Sequence, residues 1–259
     1  MYDIKNLLKS ISGTTDLISV GMDDEFDFTK KDEAFVIESG KLLAYDERNL
    51  TQTFDVYDPV GFAEAIAVRP KNLKFRKLSD LVLRKFDGTE IRAQANKAGV
   101  VANSIIKYSL GRIFESSASR RNYLFEDEFL DKNLKFLDRQ TYLENKRIFK
   151  ANDVGHAMYY IEKGSVRLMT ENDRQIAKLN AGECFGEAAL ISSARRNCSV
   201  FTDQKSTFLT IDRDLLKSEL DIESPLICIT IVALLKRVEL MNKLRWADDF
   251  FAVITCAYL

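Results

Sequence analysis

Two stretches, "FVIESGKLLAY" at residues 35–45 and "YYIEKGSVRLM" at 159–169, each set a glycine between two short alternating apolar runs. The glycines, Gly40 and Gly164, lie 124 positions apart. A second pair, "FAEA" at 62–65 and "FGEA" at 185–188, gives 123 when Glu64 is set against Glu187. Two matches at nearly one offset point to duplication of a unit of about half the chain. Two copies with no short period exclude a solenoid. Whatever one half builds, the other is expected to build too.

The building material is short strand. "AFVIESGKLLAYDERN" and "YYIEKGSVRLMTEND" read as hairpins that end in Gly, Asn and Asp turns. "DLVLRKF" (80–86) and "TFLTID" (207–212) read as closing strands, apolar and polar residues alternating. Helix follows each set. Ile106, Leu110, Ile113 and Phe114 fall on one helical face. "DRDLLKSEL" predicts a short helix, and Ser224–Pro225 gives an N-cap and first turn for a longer one. "DEFLDKNLKFL" reads as helix leading into the second unit. The expected fold is mostly β with helices (α+β): two tandem barrels or jelly rolls, each followed by hinge helices. The expected domains are 1–115 and 116–259.

Bulk properties exclude several classes. Acidic and basic residues nearly cancel at a net charge of −1, which gives no long-range pull toward nucleic acid or an anionic membrane. The apolar runs near 225–235 and 250–259 are shorter than the roughly 20 residues that span a bilayer, so no membrane insertion is expected. "MYDIKNLLKS" lacks a signal-peptide core. The four cysteines (184, 198, 228, 256) and the single His156 form no C-x-x-C pair and no zinc set, so no metal is expected. A cytoplasmic protein with reduced, buried thiols is the simplest reading, His156 lying exposed in a turn.

"FGEAALISSARRNCSV" at 185–200 carries the chemistry. Gly186 lets a ligand approach the backbone. A helical turn from Glu187 would aim the free N–H groups of Ala188 and Ala189 at one spot and favour an anion there. Arg196 returns a cationic fork suited to phosphate oxygens. Glu187 beside a phosphate is repulsive unless it accepts from a hydroxyl, which a sugar next to the phosphate supplies. A sugar phosphate of limited charge fits, since there is no Walker-type lysine loop for a polyphosphate. Taken as six isolated residues, "FGEAAL" reads as a tight turn with a buried Phe185 and a solvated Glu187, and only the longer register that follows favours a ligand cassette.

The stretch resembles the phosphate-binding cassette of the cyclic nucleotide-binding domain family: Phe-Gly-Glu, any residue, Ala or Cys, Leu, four variable residues, Pro or Arg, Arg, two small residues, Ser or Thr, Val. Phe185, Gly186, Glu187, Ala189, Leu190, Arg196, Ser199 and Val200 match in register, and the resemblance runs from about 127 to 247. It implies that Glu187 accepts from the ribose 2′-hydroxyl with Gly186 backbone beside it. Arg196 would pair with the cyclic phosphate, helped by the Ala188 and Ala189 N–H groups. Asn197 departs from the family's usual Ala or Thr and leaves base preference open. Arg195 stands where many relatives have Pro. The last helix of the family closes over the base, and Trp246 is the candidate cap; packing within "WADDFFAVITCAYL" is its other reading.

The first unit reads as a faded copy. At the offset of 123 it keeps Phe62 and Glu64, replaces the glycine with Ala63, and sets Leu73 against Arg196. Lost binding is the expectation, with a changed ligand held by Lys71 or Lys74 as the alternative. "SASRRNYLF" (117–125) reads as a solvated basic helix face. After Arg245 only 14 residues remain, too few for the helix-turn-helix of the family's transcription factors. No nucleophile motif appears, so no enzyme is expected. The function expected is a cytoplasmic sensor of a cyclic mononucleotide, cAMP favoured over cGMP and no further cofactor. It would relay binding through the helices after residue 220 to a protein effector or a second copy in a homodimer. An adaptor using both barrels for protein contacts is the competing reading.

Overall fold

The strand-Gly-strand segments form the hairpins their pattern predicts, because a glycine at the tip takes a backbone conformation closed to side chains. Gly40 has φ +93° and Gly164 φ +92°. A Cβ on Gly164 would stand 2.2 Å from Ser206 Oγ, and one on Gly40 2.1 Å from the Asp80 carbonyl oxygen. The computed structural model describes residues 2–11, 13, 15–45, 51–70, 73–114, 125–187 and 195–256, of which 125 and 241–256 are described by backbone alone.

The first set of strands is β1 (Leu17–Val20), β2 (Glu33–Ser39), β3 (Leu42–Tyr45), β4 (Thr51–Phe54), β5 (Pro59–Val60), β6 (Lys74–Lys77) and β7 (Leu81–Asp87). They pair antiparallel in two sheets of order β1-β7-β2-β5 and β4-β3-β6. The second set is β8 (Asp138–Tyr142), β9 (Arg147–Phe149), β10 (Ala157–Lys163), β11 (Ser165–Met169), β12 (Gln175–Asn180), β13 (Cys184–Phe185), β14 (Ser199–Thr202) and β15 (Ser206–Asp212). Its sheets run β8-β15-β10-β13 and β12-β11-β14-β9. The two sets share one strand order, with β9 added in the second. Even the irregularity repeats, a register shift at Ile37/Ser39 in β2 and at Ile161/Lys163 in β10. The sheets are unclosed and antiparallel, as in a jelly roll.

Each set encloses its own core. Phe35, Ile37, Leu42, Leu81 and Leu83 are buried in the first, and Ile161, Val166, Leu179, Phe185 and Phe208 in the second. Each such side chain contributes about 1.5–3 kcal/mol by leaving water.

The helices are α1 (Ile4–Ile11), α2 (Phe62–Ala67), α3 (Gly88–Ala95), α4 (Val100–Ile113), α5 (Asp131–Asn133, after a π-helical turn at Phe125–Leu130), α6 (Arg213–Asp221) and α7 (Pro225–Cys256). The "DEFLDKNLKFL" stretch is thus helical at its start, with a π turn where α-helix was expected. Ser224 caps α7, its Oγ accepting from Ile227 N at 3.3 Å.

The chain divides into two compact units, one of residues 3–97 with 224–259 and the other of 98–223 with 1–2. Helices thus group across the repeat: α7 belongs with the first strands and α4 with the second. The division expected from the repeat alone, near 115/116, follows the chain, whereas packing follows the helices. α7 contacts α1, α2 and α3, and α4 contacts α6 and the π turn.

Gly164→Ala is expected to destabilise the second unit by about 1–3 kcal/mol, the cost of a side chain at a backbone conformation it disfavours. A lowered urea midpoint at unchanged slope is the expected reading; an unchanged midpoint would refute the argument.

Candidate cyclic nucleotide site in the second unit

β13 ends at Gly186, whose φ of +90° turns the chain sharply away from the sheet. A Cβ there would stand 2.6 Å from the Arg196 guanidinium, so the close approach of this side chain to the backbone requires glycine. Arg196 Nη1 donates to the Gly186 carbonyl at 2.6 Å and Nη2 to the Ala157 carbonyl at 2.7 Å. Its guanidinium carbon lies 4.1 Å from the centroid of the Phe149 ring, a cation–π contact. The Arg196 backbone is fixed as well: its N–H donates to Asp153 O and its carbonyl accepts from Asn152 N, both at 2.9 Å. Arg196 is 5% exposed, and its Nε has no hydrogen-bond partner among the described residues. Burial lowers its pKa, opposed by Tyr159 and Glu187. Guanidinium nevertheless keeps its proton and holds donors in reserve.

Glu187 is also 5% exposed. A buried carboxylate needs a partner, and Oε1 has one in Arg112 Nη1 at 2.7 Å. Oε2 is buried with no partner among the described residues. Arg112 comes from α4 and anchors itself a second time by donating from Nη2 to the Cys184 carbonyl at 2.6 Å. Burial alone would lower the Arg112 pKa, but the Glu187 and Glu183 carboxylates raise it above its ordinary value. The sequence reading missed this residue, treating the helix as a packing face. The stretch "VVANSIIKYSLGRIF" carries two cations, Lys107 and Arg112, and nothing in its spacing singles out the second.

The structure therefore brings Gly186, Glu187 and Arg196 together. Asn197 follows, half-buried. Ala188 and Ala189 lie outside the described residues, as does the side chain of Trp246, while the Trp246 backbone is in α7, which groups with the first unit. The helix that reaches Glu187 is α4. Cys184 and Cys198 carry free thiols. Burial pushes both up, Cys198 to about 11, so neither is a ready thiolate. His156 is exposed.

Sheet pairing corrects the alignment of the first unit. Val60 lies opposite Phe35 as Phe185 lies opposite Tyr159, and the next residue in each is a glycine of positive φ, Gly61 at +82° and Gly186 at +90°. On the far side, Phe75 pairs with Ala44 as Val200 pairs with Leu168. Both matches set the offset at 125. The counterpart of Glu187 is thus Phe62 rather than Glu64, and Lys71, outside the described residues, rather than Leu73 stands against Arg196. Leu73 matches Cys198, and Glu64 matches Ala189. One residue of this two-residue shift is a difference in chain length. Gly40 to Gly61 spans 21 positions and Gly164 to Gly186 spans 22, so the offset seen at the hairpin glycines slips before the cassette.

Residues 139–222 match the model of the family described as "Cyclic nucleotide-binding domain". The resemblance carried by Phe185 to Val200 is thereby shown for this range, and the first unit lies outside it. The chain is 32% identical over 125 residues to the "Cyclic AMP receptor protein" of Thermus thermophilus, covering 47% of this chain and 55% of that one. It is 35% identical over 65 residues to the "cAMP-dependent protein kinase type II regulatory subunit" of Drosophila melanogaster, covering 24% of this chain and 17% of that one. The crystal structure of the Thermus thermophilus "Catabolite Activator Protein" aligns at 28% identity over 56% of this chain and 63% of that one, with a TM-score of 0.37. The chain spans about half the length of the first of these relatives and less of the second. No described helix is long and apolar enough to cross a membrane.

Arg112→Met is expected to leave Glu187 buried and unpaired, at a cost of about 3 kcal/mol. Urea unfolding of the variant and of Arg112→Met/Glu187→Gln should show most of that loss recovered in the double variant. Additive losses would place the two side chains out of contact.

Proposed function

We propose that the second unit is the sensor domain of a regulatory protein and that its ligand is a cyclic mononucleotide. One observation carries the reading. Two oppositely charged side chains, each 5% exposed, leave a carboxylate oxygen and a guanidinium N–H unused side by side in function, and these match a sugar hydroxyl and a cyclic phosphate. Glu187 Oε2 accepts from the ribose 2′-hydroxyl while Oε1 stays with Arg112. Arg196 keeps its two carbonyl contacts as an anchor and turns its remaining donors to the phosphate, joined by the N–H groups of Ala188 and Ala189. The three charged groups, Glu187 against Arg112 and Arg196, leave one positive charge for a ligand with one negative charge.

Affinity of this order is within reach. A hydrogen bond to a charged group is worth about 1.5–3 kcal/mol net, and a micromolar site requires about 8 kcal/mol. Arg196, the two N–H groups and Glu187 supply most of that. cAMP is favoured over cGMP, with Asn197 beside the cassette as the residue to tune the base.

Relay follows from the Arg112 contact. A ligand that draws on Glu187 alters the balance between Glu187 and Arg112, and Arg112 is part of α4. The helix begins where the two units meet in the chain, Gly99 N donating to the Glu223 carboxylate at 2.7 Å. The responding element in this reading is α4, with a protein effector or second copy as receiver. A cytoplasmic setting agrees with the three free cysteines among the described residues.

Arg196→Lys keeps the charge and loses the fork, and is expected to weaken cAMP binding at least tenfold in calorimetry. Ligand at 100 times its Kd should stabilise the wild-type chain by about 2.7 kcal/mol in thermal unfolding. A chain whose melting responds to neither cAMP nor cGMP would leave the adaptor reading in place.

A further inference from the structure

Each unit matches an arginine from a helix with a buried acid. In the second, Arg112 of α4 meets Glu187 at 2.7 Å, and in the first, Arg237 of α7 meets Glu64 at 3.4 Å. Arg196 is held in another way. Its described partners are two backbone carbonyls, at 2.6 and 2.7 Å, and two rings. The guanidinium carbon lies 4.1 Å from the centroid of Phe149 and 5.9 Å from that of Tyr159. The difference matters chemically. A buried cation needs compensation, and a carboxylate would supply it by cancelling the charge that an anion is to meet. Carbonyl oxygens and the negative face of a ring stabilise the cation and leave its net charge in place.

Geometry favours Phe149 over Tyr159 for this task, its ring being the nearer. A ring against one face of a guanidinium fixes the plane of the group, and the two carbonyls fix its rotation within that plane. Nε is then left buried with no partner among the described residues. Phe149 is itself held by Tyr159 and Phe185, with ring centroids 6.0 and 5.9 Å away, and by strand pairing opposite Val200. It belongs to β9, the strand that the first set lacks: residues 21–32, between β1 and β2, form no strand. The added strand and the loop after it serve Arg196 repeatedly. Phe149 lies beneath the side chain, Asn152 and Asp153 hold its backbone, and the Ala157 carbonyl accepts from Nη2. We propose that Phe149 is a positioning residue of the candidate site, its ring holding the Arg196 guanidinium in the plane that an anionic ligand meets. The identity of the anion rests on the cyclic-nucleotide reading; the contact between ring and cation does not.

The test replaces Phe149, in the full chain, with phenylalanines bearing one, two and three ring fluorines, which keep the ring's shape and progressively weaken its negative face. In calorimetry with cAMP the Kd should rise stepwise, by about three- to thirtyfold at the trifluoro ring. Phe149→Tyr should bind as the wild type does, because it restores an electron-rich face. Urea unfolding of the same series without ligand should give a midpoint that falls with each fluorine when Arg196 is present and stays level in Arg196→Met. A ring that only fills space gives other results: a Kd and a midpoint unmoved by fluorine, or midpoints that fall alike in both backgrounds. Either of these overturns the proposal. If Arg196→Met gives no cooperative transition, the Kd series and Phe149→Tyr decide alone. Absence of cAMP and cGMP heat from the wild-type chain removes the cyclic-nucleotide reading by itself, since the unfolding series still decides on Phe149.

Discussion

A carboxylate cannot be buried alone, and Glu187 at 5% exposure is buried. Arg112 answers that requirement from a helix 75 residues earlier in the chain, and the contact ties α4 to the end of β13. Much of the second unit is arranged around this. Arg112 also holds the Cys184 carbonyl, which fixes the strand end from which Gly186 turns. Gly186 in turn leaves the space that the Arg196 guanidinium fills. Each partner is satisfied on one side and has a polar atom left over on the other, Oε2 of Glu187 and Nε of Arg196. A pair held this way is already organised before any ligand arrives, so little ordering has to accompany binding.

The two units show that the strand frame and the chemistry of the site vary independently. Strand order, register shift and the positive-φ glycine after the short strand are common to both. The charges differ. At the position of Glu187 the first unit has Phe62, which packs against Phe86 with ring centroids 5.3 Å apart. Its acid has moved two residues on, to Glu64, and its guanidinium comes from α7. The frame depends on many apolar contacts and tolerates such exchange, whereas recognition depends on a few charged atoms and does not.

The local parts of this arrangement were legible in the sequence. Glycines 40 and 164, the closing strands and the Phe185–Val200 cassette are each written in adjacent residues, where periodicity and turn chemistry act directly. What involves distant residues was not. Arg112 reaches Glu187 across 75 positions, and nothing in the helix pattern distinguishes a cation that binds a buried acid from one that faces water. The alignment of the faded copy failed for a different reason: "FAEA" looks more like "FGEA" than "VGFAEA" does, so likeness of letters prevailed over the glycine that sets the turn. Sheet pairing shifted the match by two residues, which moved a glutamate from one role to another. The side on which α4 and α7 pack was not legible either, because a face of isoleucines and leucines fits either barrel.

The grouping of helices across the repeat has an evolutionary consequence. A duplicated module can ordinarily be shuffled, lost or replaced as a unit, because all that it needs travels with it. Here the segment up to residue 115 carries α4, whose arginine serves Glu187, and the segment after it carries α7, whose arginine serves Glu64. Neither half is self-sufficient in the partners of its own buried acid. The two copies are laced together and must be inherited as one piece, so substitutions in one half are selected partly by their effect on the other.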